Sequence, residues 1–88
     1  MTTLELLRTH ANEIKPEVLR EVERYIRCDP GILAGKPTFV GTRVPVYLVL
    51  DCLAYGVSKD EILESFPTLE PEHIPAALKF AGLLSNIR

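Results

Sequence analysis

Pro37 and Pro45 bracket the stretch Thr38-Phe39-Val40-Gly41-Thr42-Arg43-Val44, and this bracket constrains the fold more than any other feature of the 88 residues. Proline lacks the N–H that a helix interior or a sheet ladder needs. No helix therefore runs through 37–45, and any strand there is short or at an edge. The β-prone runs Phe39-Val40 and Arg43-Val44 are separated by two residues, glycine first. This pattern predicts a tight hairpin with a type II′ turn and Gly41 at positive φ. Upstream, Asp29-Pro30-Gly31 and Gly35-Lys36-Pro37 are turn signals.

Both flanks read as helical. Leu4, Leu7, Ala11, Ile14, Val18, Val22 and Ile26 recur every three or four residues. Thr2 with Glu5 suits a capping box, and Pro16 suits the first turn of a helix, so two helices are expected near 3–12 and 16–26. After the hairpin, Val46 to Tyr55 is apolar all round except for Asp51, which predicts a buried helix. Gly56 is placed to stop it as a left-handed cap. Ser58-Lys59-Asp60-Glu61 opens the next helix as a capping box, Pro67 closes it, and Ile74, Ala77, Leu78, Ala81 and Leu84 form the inner face of a third. The chain is thus expected to be mainly α with a short β-hairpin. An N-terminal helical extension over 1–26 precedes a unit over 27–88, in which the hairpin leads into a tri-helical, helix-turn-helix bundle, and the whole forms one compact unit.

With 47% apolar residues the chain can build a core, but one of this size is marginal alone. No run approaches the ~18 apolar residues of a membrane span. Met1 to Leu7 has no basic start and carries Glu5, unlike a leader. The expectation is a cytoplasmic protein with Cys28 and Cys52 reduced, and a homodimer that covers surplus apolar surface. The net charge of −2 disfavours strong nonspecific nucleic-acid binding. Only 28–46 is positive, with Lys36 and Arg43 against Asp29; residues 47–88 carry three basic and six acidic side chains.

No catalytic motif stands out, and an enzyme is not expected. His10, Cys28, Cys52 and His73 show no metal-ligand spacing, so neither metal nor cofactor is expected. Gly35-Lys36-Pro37 is no Walker loop, since Pro37 occupies the Ser/Thr place. Asp60 and Glu61 read as first-turn helix acids. Lys36 is either a phosphate contact or a solvated loop lysine. Arg43, beside Thr42, either contacts nucleic acid or a partner, or pairs with Asp29 to lock the loop. On the third helix, His73 and Lys79 could reach bases, with Asn86 and Arg88 beyond them, although Glu70 and Glu72 at its start repel phosphate. The candidate DNA contacts are therefore Lys36, Thr42, Arg43, His73 and Lys79. The candidate structural residues are Asp29, Gly35, Gly41, Arg43 and Gly56.

Ile26-Arg27-Cys28-Asp29-Pro30, Gly35-Lys36-Pro37, Gly41-Thr42-Arg43-Val44-Pro45-Val46, Gly56-Val57-Ser58 and Phe66-Pro67-Thr68-Leu69 follow one another at close spacing. Over about residues 25–81 this closely resembles the bacterial domain-of-unknown-function family number 433. The resemblance implies a hairpin followed by a homeodomain-like tri-helical unit. It also implies a likeness to antitoxins of type II toxin–antitoxin pairs, which bind a PIN-like ribonuclease toxin and operator DNA. The alternative is a protein-interaction or structural homodimer that binds no DNA. Glu70 stands where the family often has Thr or Ser, and His73 where it has an acid, so the third helix lacks the usual capping box. Thr68 as a cap, or Glu70 acting on the helix dipole, is expected in its place. Pro75 implies a loose first turn and a regular helix only from about Ile74.

Overall fold

The computed structural model describes residues 2–86. Thr2 starts helix α1 (Thr3–Thr9) by accepting from the Glu5 amide at 3.2 Å. A 3-10 turn over Ala11–Glu13 follows. Pro16 then takes the first position of α2 (Pro16–Tyr25), where its missing N–H is one the helix end could not use. Both N-terminal helices are therefore present, and the first ends earlier than expected.

Helix α2 runs directly into β1 (Ile26–Arg27), which pairs antiparallel with β2 (Thr38–Phe39): Ile26 lies opposite Phe39 and Arg27 opposite Thr38. The β-hairpin is present, with a different second strand from the one expected. Thr42 N–H donates to Phe39 O at 3.1 Å and closes a turn in which Gly41 is third, at φ +82°. Val40, second in the turn, is not at positive φ. The turn therefore has the type II pattern in place of type II′. The limb carrying Arg43 and Val44 gives β2 one backbone bond, Phe39 N to Val44 O, and one bridge, Thr38 to Pro45. Pro45 has no N–H with which to extend that ladder, so β2 takes its strand partner from the other side.

Between the strands, Leu33, Ala34 and Gly35 form a left-handed turn with φ of +51°, +55° and +85°. Two of these residues carry a Cβ, and each costs roughly 1–2 kcal/mol in this conformation.

Helix α3 (Val46–Ala54) ends in a Schellman motif. Gly56, at φ +83°, donates to Leu53 O, and Val57 donates to Cys52 O. Helix α4 (Lys59–Ser65) opens on the expected Ser58–Glu61 capping box, formed in both directions. Helix α5 (His73–Asn86) starts later than Pro71, so Pro75 is its third residue. The missing N–H falls among the end donors that have no partner within the helix.

One core joins all of this: Leu7, Ile14, Val22 and Ile26 from the N-terminal segment with Phe39, Val46, Val49, Ile62, Leu69, Ile74 and Phe80. The expected boundary after residue 26 falls inside β1, and the core is continuous across it. Helix α3 departs from expectation. Val46 and Val49 are buried, but Tyr47 is 53% exposed, and Leu48, Leu50 and Leu53 are half-buried. A chain this small has too little interior to cover such a helix on every side.

Candidate binding surface

Helix α2 lies against α5. Glu21 meets Lys79 at one end of the pairing, and Tyr25 meets His73 at the other, so the two helices run antiparallel. This packing decides what α5 can present. Lys79 Nζ donates to both carboxylate oxygens of Glu21 at 2.8 Å. The lysine expected to reach a base is thus tied to the protein's own acid, next to Glu17 and Glu72 on the same face.

His73 was expected on the surface and is instead 5% exposed. Its ring sits 5.1 Å from that of Phe39 and edge-on to Tyr25 at 5.6 Å. Nδ1 accepts the Glu70 amide at 2.8 Å. A buried ring that satisfies an N–H at the entrance to α5 makes one of the two bonds of the missing capping box, and its burial leaves little of it to present to a partner. The Thr68 hydroxyl does not cap α5; its side chain lines a cleft described below.

Thr42 is also placed inside, at 6% exposure. Its hydroxyl donates to Phe39 O at 2.9 Å and accepts from Val44 N at 3.0 Å, which locks the turn around Gly41. The expected Arg43–Asp29 ion pair is not formed. The Asp29 carboxylate accepts from the Gly31 amide two residues on, at 2.8 Å, a short-range bond that holds it in its own turn. Arg43 is exposed. Lys36 points its Nζ over the Tyr47 ring, 5.5 Å from the centroid. Arg88 lies outside the described residues, and Asn86 is exposed at the end of α5. Of the glycines singled out, Gly35, Gly41 and Gly56 all have positive φ.

Two recesses stand out among the described residues. The first is an apolar groove of about 420 Å³ between α3 and α5, lined by Pro37, Tyr47, Leu50, Phe80 and Leu84, with Lys36 as the only charged residue among the described ones. The second is a cleft of about 650 Å³ around the hairpin turn, lined by Arg27, Arg43, Thr42, Thr68, Ile32 and Val44. Among the described residues, no carboxylate lines either one.

Sequence reasoning missed Tyr47, Arg27 and Thr68. Tyr47 carried a signal, because an unbroken apolar helix in a short chain must leave some of its face uncovered. Arg27 and Thr68 carried none, since only the pairing of β1 with β2 and the return of the chain after α4 bring them beside Arg43.

Among the described residues, no three His, Cys, Asp or Glu side chains converge on a metal-sized site. Cys28 and Cys52 are half-buried free thiols. Among these residues no helix is long and apolar enough to cross a membrane.

Compared with known proteins, residues 26–81 match the family described as "Protein of unknown function (DUF433)". The chain is also 40% identical over 63 residues to the uncharacterized protein y4eO of Sinorhizobium fredii (strain NBRC 101917 / NGR234), a stretch covering 72% of this chain and 28% of that relative. The chain therefore spans under a third of the length of the relative it matches. No solved structure matches it.

Proposed function

The chain belongs to the DUF433 family, and from that membership and the open face of α3 we propose that it is a protein-binding module of the antitoxin kind, which acts by covering a partner and performs no chemistry. The apolar groove between α3 and α5 carries the reading. Tyr47, Leu50 and Leu84 offer a row of large apolar side chains bordered by one lysine. An apolar stripe of a partner helix is the chemistry such a groove accepts. At its border Lys36 stands over Tyr47.

The family resemblance suggests a ribonuclease-like toxin as the partner. DNA reading by α5 is not part of this proposal, because Lys79 and His73 are both engaged within the protein. Acids at Glu70 and Glu72 flank the start of that helix.

The test is co-expression with the protein encoded next to this one, followed by purification and sedimentation of the mixture. A stable complex that Tyr47→Glu abolishes, with the variant still folded, is the expected result. A partner that binds the Tyr47→Glu variant as well as it binds the wild type overturns the groove. If the wild-type chain instead sediments as a dimer that Tyr47→Glu dissociates, and the neighbour-encoded protein binds neither form, the groove is a self-association surface and the antitoxin reading falls.

A further inference from the structure

The second recess has a chemistry that the apolar groove lacks. Arg27 comes from β1 and Arg43 from the turn after β2, and both line one cleft in which no acid balances them. Arg27 Nε is shielded from solvent and donates to no group among the described residues. Buried donors without partners are uncommon, because losing water without gaining an acceptor is costly. Two other cations are already paired, Arg8 with Glu23 and Lys79 with Glu21. The Thr42 hydroxyl is spent within the turn, whereas among the described residues no side chain or backbone group bonds to the Thr68 hydroxyl.

We infer that the cleft between Arg27 and Arg43 is a carboxylate-binding site that takes an acidic side chain of the partner protein; this rests on the protein-binding function proposed above. An arginine fork pairs with a carboxylate through two parallel N–H donors. With a turn of the Arg27 guanidinium toward the cleft, a carboxylate accepts from Nε and one terminal nitrogen. Arg43 and the Thr68 hydroxyl face its other lone pairs. The remaining lining is apolar, Ile32 and Val44, and the neighbouring residues in the chain, Leu33 and Val40, are 45% and 40% exposed. An apolar border around a cationic centre suits a peptide in which leucine-like residues flank an acid.

Polynucleotide fits less well. Two phosphate contacts give a salt slope of only about 1.8, well short of what useful DNA affinity requires. One carboxylate, by contrast, has lone pairs enough to accept from both guanidinium groups at once.

The experiment is an NMR titration of the ¹⁵N-labelled full chain with an acetylated, amidated tetrapeptide of two glutamates between two leucines. The glutamine version of that peptide and a short DNA duplex are titrated in parallel. The glutamate peptide should shift the amides of Arg27, Gly41, Arg43 and Thr68 and the Nε–H of Arg27, saturably, and the glutamine peptide should not. Arg43→Gln, at an exposed position, should weaken binding at least about tenfold. Arg27→Lys, which keeps the charge and loses the fork, should weaken it comparably. Shifts elsewhere, an unchanged affinity in Arg43→Gln, or duplex DNA bound in the cleft more tightly than the peptide would each overturn the assignment. The two readings fail separately. If the neighbour-encoded protein binds wild type and Arg43→Gln equally, the functional reading stands and the cleft falls. If that protein does not bind at all while the peptide does, the functional reading falls.

Discussion

The Glu70 amide and Nδ1 of His73 are joined by a 2.8 Å hydrogen bond in which the imidazole is the acceptor. The amide can only donate, so the neutral ring must carry its proton on Nε2. The ring is wedged against Phe39 and Tyr25, and this one side chain connects β2, α2 and the entrance to α5. His73→Leu keeps most of the bulk and removes the acceptor. It should cost about 1–3 kcal/mol in urea denaturation, because it leaves the part-buried Glu70 N–H unsatisfied. An unchanged midpoint and slope would show that the bond is dispensable.

The Lys79–Glu21 pair should prove weak for stability. Its side chains are 44% and 33% exposed, so solvent and salt screen the attraction. A double-mutant cycle with Lys79→Ala and Glu21→Ala should give a coupling of about 0.2–1 kcal/mol that shrinks in high salt. In a DNA titration at low salt, Lys79→Ala should behave as wild type, neither binding detectably. A loss of DNA affinity specific to Lys79→Ala would restore the recognition-helix role that the structure argues against.

Two left-handed positions should respond differently to substitution. Gly41 has nothing within 4 Å of where a Cβ would sit, so only its φ of +82° resists substitution. Gly41→Val should cost about 1–3 kcal/mol through backbone strain. Ala34 already carries a Cβ at φ +55°. Ala34→Gly removes strain of roughly 1–2 kcal/mol and adds about 0.5–1 kcal/mol of chain entropy. It should therefore leave stability unchanged or raise it, and a clear fall in Tm would contradict the left-handed turn.

Thr38 is fully buried on β2, and its hydroxyl has no partner. Thr38→Val swaps that hydroxyl for a methyl of similar size. Removing an unsatisfied polar atom should stabilise the protein by about 1 kcal/mol. Destabilisation in thermal or chemical unfolding would mean that the hydroxyl is bonded after all.

The local devices were legible in the sequence because each is written in a few adjacent residues. The Ser58–Glu61 box, the Gly56 cap and the Pro16 start of α2 depend on chemistry within one turn, and all three form where expected. Positive φ at Gly41 was legible for the same reason, whereas the turn type depended on where Pro45 left β2 an open edge. Features set by distant partners were not legible. A two-residue strand such as Ile26-Arg27 shows no period. His73 reads as a surface residue until α2 and β2 close over it. Lys79 reads as free until Glu21, 58 residues away, is brought beside it. The candidate site suffered most: its expected members were chosen for charge or hydrogen-bonding groups, and the fold had already used several of them.

The antiparallel clasp of α2 on α5 has a kinetic consequence. Helices α3 and α4 are adjacent in the chain and joined by a capped turn, so their meeting closes only a short loop. The clasp has to close a loop of about fifty residues, at an entropic cost that arrives before any contact repays it. Folding should then be ordered in time, with the α3–α4 corner condensing early and the N-terminal helix docking late. Because His73 is covered by Tyr25 of α2, its burial should be among the last events to finish, and protection of the Glu70 amide should appear with it.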